Sequence, residues 1–162
     1  MGGVTTRTYV SVIGGSACTA EVAALGERLG ELLAERGCVV VCGGMSGVME
    51  AVARGVRRRG GQCIGVLPGL DRAGAAPDLT LSLLTGVGHA RNLAVVASGD
   101  VVIALGGAWG TLSEIGLARS IGRDVVLLDS WDLHAPGGEL AGLHRAADAA
   151  QAVELALSLA VG

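Results

Sequence analysis

The stretch Cys38-Val39-Val40-Val41-Cys42-Gly43-Gly44 decides the fold class of this 162-residue chain. Its first five residues are all apolar, without the polar alternation of a strand that has one face in water. Such a run is typical of a strand buried on both faces in a parallel sheet. Because helices cover both faces of such a sheet, strands and helices should alternate along the rest of the chain.

The remaining sequence does alternate between short apolar runs and longer amphipathic stretches. Residues 21–36 predict an amphipathic helix, in which Leu25 and Leu29 recur at helical spacing. Ser46 is the expected N-cap of a second helix. Further helices are predicted over 89–97, 111–121 and 148–161, and further strands over 9–13, 62–67, 79–84, 101–105 and 125–128. Right-handed crossovers between them predict one Rossmann-like, doubly wound α/β domain that comprises residues 1–162.

Composition narrows the possible function classes. Hydrophobic residues make up 51% of the chain and charged residues 17%, which excludes a disordered chain and predicts a large core. All 12 basic residues are Arg, and without Lys the chain can form neither a Schiff base nor a Walker A phosphate loop. The net charge of -3 gives no basic footprint for nucleic acid. No apolar run is long enough to cross a membrane and the first residues do not resemble a signal peptide, so we expect a cytoplasmic protein.

Neither the Cys nor the His residues have a spacing typical of a metal site. Cys38 and Cys42 are separated along one predicted strand, too far apart for a disulfide bond and without a zinc-binding spacing. We therefore predict reduced core thiols at all four Cys positions, which are Cys18, Cys38, Cys42 and Cys63. No metal is expected at the three scattered His residues, which are His89, His134 and His144.

Three Gly-rich turns follow predicted strands, over 14–16, 43–47 and 106–111. The carboxyl ends of parallel strands meet at the same edge of a sheet, so the three turns should lie together. Gly lets the backbone approach a ligand closely, and the helix after each turn presents free N–H groups. The pattern predicts a phosphate-bearing ligand. Its expected contacts are Gly14, Ser16, Gly43, Gly44, Gly47, Gly106, Gly107, Gly110 and Thr111.

The same turns do not match a dinucleotide-binding fingerprint. That fingerprint requires Gly-x-Gly-x-x-Gly after the first strand and an acidic residue about 20 residues later. The first turn reads Gly14-Gly15-Ser16-Ala17-Cys18-Thr19, and the second strand ends in Cys42-Gly43 without an acid. NAD or FAD is therefore a minor alternative.

Several candidate residues also have a purely structural interpretation. Thr111 and Glu114 have the spacing of a capping box, in which the Thr side chain caps the helix and the Glu side chain reaches back. Ser16 is as well suited to cap the first helix as to contact a ligand. Arg91 could be a surface residue, and Met49, at helical spacing with two Val residues, is expected in the core.

Four motifs resemble those of the LOG superfamily, whose members were long mislabelled as lysine decarboxylases. They are Gly-Gly-x-x-Gly-Val-Met at 43–49, Gly-Val-Leu-Pro at 65–68, Arg-Asn at 91–92 and Gly-Gly-x-x-Gly-Thr-x-x-Glu at 106–114. One group of this superfamily hydrolyses nucleoside 5′-monophosphates, including cytokinin ribotides, to free base and ribose 5-phosphate. Another group contains molybdenum-cofactor carrier proteins. The resemblance also implies a homodimer or a larger homo-oligomer.

Applied to this chain, the resemblance implies a phosphate-binding turn over 106–111, a catalytic carboxylate at Glu114 and a catalytic arginine at Arg91. In the hydrolase, Glu114 would stabilise the oxocarbenium charge that develops as the N-glycosidic bond breaks, and would orient or deprotonate water. Arg91 would pair with Glu114 or with the phosphate and keep the carboxylate ionised. This chemistry requires no cofactor.

Two positions depart from the pattern of the hydrolases. Leu105 precedes the Gly pair where the hydrolases usually have Pro, and Asn92 follows Arg91 where they have Lys. Asn at this position and the compact length resemble the carrier group instead. We therefore predict hydrolysis of nucleoside 5′-monophosphates, with carriage of the molybdenum cofactor, bound by its pterin phosphate and not turned over, as the alternative. In both cases the partner is a small molecule rather than nucleic acid or a membrane.

Overall fold

The computed structural model describes residues 7–138 and 140–160, whose strands form one parallel sheet in the order β4-β3-β2-β1-β5-β6-β7. The strands are β1 (Tyr9–Gly14), β2 (Val39–Cys42), β3 (Gln62–Leu67), β4 (Leu81–Leu84), β5 (Val101–Gly106), β6 (Val125–Ser130) and β7 (Leu143–Ala146). The helices are α1 (Ala20–Glu35), α2 (Val48–Arg58), α3 (Arg91–Ser98), α4 (Trp109–Ser120) and α5 (Ala149–Leu159). The architecture is the predicted Rossmann-like α/β fold.

Helices cover both faces of the sheet, as the apolar run of β2 predicts. All residues of β2 are buried. On one face, Val12 of β1 belongs to a core cluster shared with α1, α2 and α5. On the other face, Ile13 of β1 packs with Val95 of α3 and Ile115 of α4. Ser11 is buried within β1, and its hydroxyl donates to the carbonyl oxygen of Val95 at 2.6 Å. None of the described helices is long and apolar enough to cross a membrane.

Helices α1 and α2 cross with their backbones in direct contact. A Cβ built on Gly55 of α2 would lie 1.9 Å from the carbonyl oxygen of Glu27, and one on Gly30 of α1 would lie 2.2 Å from that of Val52. Arg54 pairs with the Glu27 carboxylate at 3.3 Å beside the crossing. The two helices can approach this closely only because Gly30 and Gly55 have no side chains.

Three details of the predicted elements are wrong. Gly47, with a φ of 70°, is the N-cap of α2, while the hydroxyl of Ser46 donates to the carbonyl oxygen of Ser16 at 2.8 Å. The predicted helix over 89–97 begins as a 3-10 turn and becomes α-helical only at Arg91. Strand β7 was not predicted, because its sequence Leu-His-Arg-Ala contains no apolar run. It forms a strand by pairing with β6.

The cysteines are free thiols, and three of the four are buried as predicted. Cys18 is exposed, so its predicted place in the core is wrong. Cys42 and Cys63 lie on adjacent strands with their Sγ atoms 3.9 Å apart. Burial raises the pKa of the Cys38 thiol.

We expect Gly55→Ala to lower the free energy of unfolding by about 1–3 kcal/mol, because the new Cβ overlaps the Glu27 carbonyl and forces the helices apart. Gly116→Ala in α4 is the matched control, since Gly116 is exposed and a Cβ there would meet nothing within 4 Å. This control should raise the free energy of unfolding by up to about 1 kcal/mol. Urea unfolding followed by circular dichroism measures both changes. Equal stability of the two variants would contradict a tight crossing.

Candidate functional site

A cavity of about 280 Å³ opens at the carboxyl edge of the sheet, where the ends of β1, β2 and β5 meet. The chain leaves one half of the sheet for the other at this place, and open α/β sheets bind their ligands at such a switch point. Wider depressions of about 590 and 700 Å³ lie along β6 and β7, but none of the three predicted Gly-rich turns lines them. The cavity is lined by Val12, Ile13, Gly14, Gly15, Ser16, Gly43, Met49, His89, Arg91, Asn92, Ala108, Gly110, Thr111 and Glu114.

The structure brings the three Gly-rich turns together around this cavity. Each turn contributes to the lining, through the predicted contacts Gly14, Ser16, Gly43, Gly110 and Thr111. The other predicted contacts do not line it, and these are Gly44, Gly47, Gly106 and Gly107. Gly44 and Gly47 have φ angles of 72° and 70°, and a Cβ on Gly47 would lie 2.3 Å from the carbonyl oxygen of Gly15. These two glycines therefore serve the conformation and packing of the second turn.

The third turn leads directly into α4 and leaves open space in front of it. Gly106 has a φ of 81°, a conformation that residues with a side chain rarely adopt. A Cβ on Gly107 or Gly110 would meet nothing within 4 Å. Helix α4 begins at Trp109, so the N–H groups of its first turn have no carbonyl partner within the helix. Open space beside free donors at a helix N-terminus suits an anion.

Two side chains hold this third turn against β6. The indole Nε1 of Trp131 donates to the carbonyl oxygen of Ala108 at 3.2 Å, and the Ser130 hydroxyl donates to that of Gly106 at 2.7 Å. The bonds join residues 23 and 24 positions apart in the sequence. No local pattern could have indicated them, although they fix the backbone that forms one wall of the cavity.

The predicted capping box at the start of α4 is wrong. The N-cap is Ala108, and Thr111 lies within the first turn of the helix. The Thr111 Oγ1 atom is buried and has no hydrogen-bond partner among residues 7–138 and 140–160. Ser16 does not cap α1, because Thr19 caps it and accepts from the backbone N–H of Val22 at 3.3 Å. Ser16 and Thr111 both line the cavity instead.

Arg91, the first residue of α3, is buried beside the second turn. A Cβ on Gly43 would lie 2.8 Å from both of its terminal nitrogens, so the guanidinium occupies the space that a side chain at Gly43 would need. Nη1 donates to Oδ1 of Asn92, and the buried Nε has no partner in the part of the chain that the structure describes. Burial lowers the pKa of Arg91, while the nearby Glu114 opposes this shift. The surface position considered for Arg91 is therefore wrong.

Glu114, in the second turn of α4, is only 6% exposed. Burial raises its pKa from 4.5 to about 7, and the charge of Arg91 opposes this shift without overcoming it. No ion pair joins the two side chains within the described part of the chain. The expected pairing of Arg91 with Glu114 is therefore not formed among the described residues, and burial outweighs the charge of Arg91 in setting the pKa of Glu114.

Sequence analysis missed two roles at this site. His89 lines the cavity, and its only sequence signal is its place two residues before Arg91. Met49 lies in the core as predicted, yet it also lines the cavity. Over residues 7–138 and 140–160, no group of three or more His, Cys, Asp or Glu side chains could hold a metal ion.

Comparison with known proteins gives a family and a consistent set of structural neighbours. The model of the SLOG cluster4 family matches residues 7–156. The molybdenum cofactor binding protein of Rippkaea orientalis is 31% identical, with a TM-score of 0.87 and coverage of 96% of this chain and 98% of that chain. The molybdenum cofactor carrier protein of Chlamydomonas reinhardtii is 28% identical, with a TM-score of 0.85 and coverage of 97% and 100%.

Sequence relatives agree with this family. An uncharacterised protein of Archaeoglobus fulgidus is 41% identical over 120 residues, which are 74% of this chain and 78% of that protein. A probable cytokinin riboside 5′-monophosphate phosphoribohydrolase of Oryza sativa subsp. japonica is 38% identical over 104 residues, or 62% of this chain. The match spans only 42% of the rice protein. Together the similarities confirm the resemblance to the LOG superfamily.

Glu114 should make the unliganded protein less stable as the pH rises. Its folded pKa of about 7 lies above the ordinary value of 4.5, so between these values the folded state binds more protons than the unfolded state. The free energy of unfolding therefore falls as the pH rises through this window and stays lower above it. The pKa shift of Glu114 corresponds to a decrease of about 3 kcal/mol in the free energy of unfolding. Glu114→Gln keeps the side-chain size and removes this penalty.

Urea unfolding of the wild type and Glu114→Gln at pH values from about 5 to 8 measures the effect. The two proteins should be similarly stable near the lower limit, and the variant should be the more stable near the upper limit. Glu154→Gln is the control, because the side chain of Glu154 is 63% exposed. A stability difference that does not depend on pH would show that Glu114 titrates normally.

Proposed function

The chain belongs to the SLOG cluster4 family, and we propose that it binds a nucleoside 5′-monophosphate and hydrolyses its N-glycosidic bond. The products would be the free base and ribose 5-phosphate. One observation carries the proposal: the cavity holds Glu114, Arg91 and the unpartnered Thr111 hydroxyl beside an open Gly-rich turn. Buried polar groups without partners are rare in native proteins and require an explanation, which a bound ligand would supply.

The phosphate would lie at the N-terminus of α4. The open space at Gly107 and Gly110 would admit it, and the free N–H groups of the first helical turn would donate to its oxygens. The Thr111 hydroxyl could donate a further hydrogen bond. Binding of this remote group would hold the reacting bond in place, which is how binding energy contributes to the rate.

Glu114 would then act at the sugar. The ionised carboxylate can stabilise the positive charge that develops at the anomeric carbon and can accept a proton from the attacking water. The neutral carboxyl can protonate the departing base. A carboxyl with a pKa of about 7 provides both forms at neutral pH, and this is the range in which a general acid or base works best.

The second candidate is carriage of the molybdenum cofactor without turnover. It is favoured by the two structural neighbours named for this cofactor, which match nearly the whole chain, whereas the hydrolase relative matches about two thirds of it. In this function the same turn would bind the phosphate of the pterin, and the cofactor would be cargo. Asn92, which distinguishes the chain from the hydrolase pattern, also favours this candidate.

The proposed assembly is a homodimer or a larger homo-oligomer. Its support is a set of exposed apolar side chains: Leu81 and Leu83 of the edge strand β4 are 58% and 57% exposed, and Leu93 of α3 is 45% exposed. Exposed apolar patches of this kind commonly mark surfaces that bind another protein.

Gly107→Val should abolish phosphate binding without unfolding the protein. The new side chain would fill the open space in front of α4 and keep the ligand away from the free N–H groups. Loss of charge-assisted hydrogen bonds should lower the binding affinity for AMP at least about tenfold, as measured by calorimetry. Gly137→Val is the matched control, because a Cβ there also meets nothing within 4 Å and Gly137 does not belong to the turn that leads into α4. Unchanged AMP affinity in folded Gly107→Val would exclude this turn as the phosphate site.

Glu114→Gln distinguishes the two candidate functions. If Glu114 is catalytic, release of free base from nucleoside 5′-monophosphates should fall by on the order of a hundredfold or more. AMP binding should persist, because Gln keeps the shape and carries no charge that repels the phosphate. Chromatography of the free base measures the rate. If the wild type releases no base from a panel of nucleoside monophosphates, hydrolysis is excluded, and molybdopterin analysis of protein from a cofactor-producing host tests the carrier function.

A further inference from the structure

Arg91 and Asn92 make a contact that neighbouring residues of a helix rarely make. Side chains one position apart on a helix do not face each other. Nevertheless the Arg91 side chain bends so that Nη1 donates to Oδ1 of Asn92. Arg91 is buried and Asn92 is half-buried, so this bond is partly shielded from water, which strengthens a hydrogen bond from a charged donor.

The bond fixes the guanidinium at the wall of the cavity that β2 provides. The position of a Cβ on Gly43 is 2.8 Å from Nη1 and Nη2 of Arg91 and 2.7 Å from Sδ of Met49. The guanidinium is therefore held between the backbone of the second turn, α2 and Asn92. Its buried Nε atom has no hydrogen-bond partner among the described residues.

Glu114 lies in the same cavity but forms no ion pair with Arg91 within the described residues. Opposite charges in a desolvated cavity attract each other strongly. If the Asn92 acceptor were absent, the Glu114 carboxylate would be the partner with the strongest attraction for this guanidinium. Asn92 therefore competes with Glu114 for Arg91.

We propose that Asn92 is a positioning residue that keeps Arg91 and Glu114 apart. The guanidinium then stays available to an anionic group of the ligand, and the carboxyl stays available to the neighbouring sugar. An ion pair between the two would neutralise both groups before the ligand arrives. The identity of the ligand rests on the proposed function, whereas the separation of the two side chains can be tested without any ligand.

Few other titratable groups face Glu114. Arg91 faces it from α3, and Cys42 is close enough at the end of β2 for its charge and that of Glu114 to interact. His89, in the 3-10 turn before α3, lines the same cavity. The residues that β1 contributes to the lining are apolar or Gly. Titration of Glu114 should therefore respond mainly to the position of Arg91.

The test is a ¹³C NMR titration of the Glu114 carboxyl in the unliganded protein, assigned with Glu114→Gln. Asn92→Leu keeps a similar side-chain size and removes the acceptor, so Arg91 should turn to Glu114. The pKa of Glu114 should then fall by about 1–3 units, as is usual for a carboxyl beside Arg. Asn92→Asp is the matched control: it keeps an acceptor and adds a negative charge, so the pKa should not fall. Asn92→Ala repeats the test if the Leu variant misfolds.

A second measurement uses inorganic phosphate and follows its binding by calorimetry. Asn92→Leu should lower the affinity for phosphate about tenfold, because Arg91 then pairs with Glu114. Asn92→Asp should lower the affinity for phosphate through charge repulsion alone. An unchanged Glu114 pKa in folded Asn92→Leu and Asn92→Ala would overturn the proposal. If the wild type binds neither phosphate nor AMP, the proposed function fails, while the titration still decides the role of Asn92.

Discussion

Burial of the parallel sheet on both faces is the constraint on which the rest of this structure depends. The central strands consist almost entirely of apolar side chains, and the buried Ser11 of β1 is satisfied by the Val95 carbonyl. Polar chemistry therefore has no place within the layers and is confined to the edges of the sheet. At the carboxyl edge, the ends of β1, β2 and β5 lead into glycine-rich turns, and the cavity lies between them. The fold thus determines where the site lies before any catalytic residue is considered.

The candidate site buries polar groups that lower the stability of the folded protein, and the hydrophobic core does not. Among the described residues, Thr111 and Arg91 each bury a polar atom without a partner, and burial raises the pKa of Glu114 more than the charge of Arg91 lowers it. These groups destabilise the unliganded protein, because water no longer solvates them and no protein group replaces it. The core contrasts with this site, because helices α1 and α2 pack there in direct contact at Gly30 and Gly55. A site that lowers stability in this way is typical of function rather than of folding.

The sequence indicates the elements of this protein better than their ends. Apolar runs identify β1, β2, β3, β5 and β6, because strands buried on both faces need such runs. The N-caps expected at Ser46 and Thr111 are wrong, since helical periodicity does not determine the first residue of a helix and Gly47 and Ala108 serve instead. Strand β7 is an edge strand that depends on its partner β6, so its own composition does not reveal it.

Some features of the candidate site could likewise be predicted from the sequence, and others could not. The Gly-rich turns, Arg91 and Glu114 were recognisable as sequence motifs, because a motif depends only on residue types and their spacing. The protonation of Glu114 and the bond between Arg91 and Asn92 were not visible, since both arise from burial and from side-chain direction in three dimensions. The sequence motifs indicate that Arg91 and Glu114 lie near each other, but they do not indicate how far burial raises the pKa of Glu114, because this depends on the solvent that remains around the carboxyl.

The two candidate functions place opposite demands on one carboxyl group. A catalyst must bind the transition state more tightly than the substrate, so an ionised Glu114 near a phosphate dianion is useful: it weakens the ground state and stabilises the cationic sugar. A carrier must bind its ground state tightly, and for that purpose a neutral Glu114 is better because it does not repel the phosphate. The same buried position supports both states near neutral pH. The proposed role of Asn92 bears on this difference, because its bond to Arg91 would keep the guanidinium from pairing with Glu114.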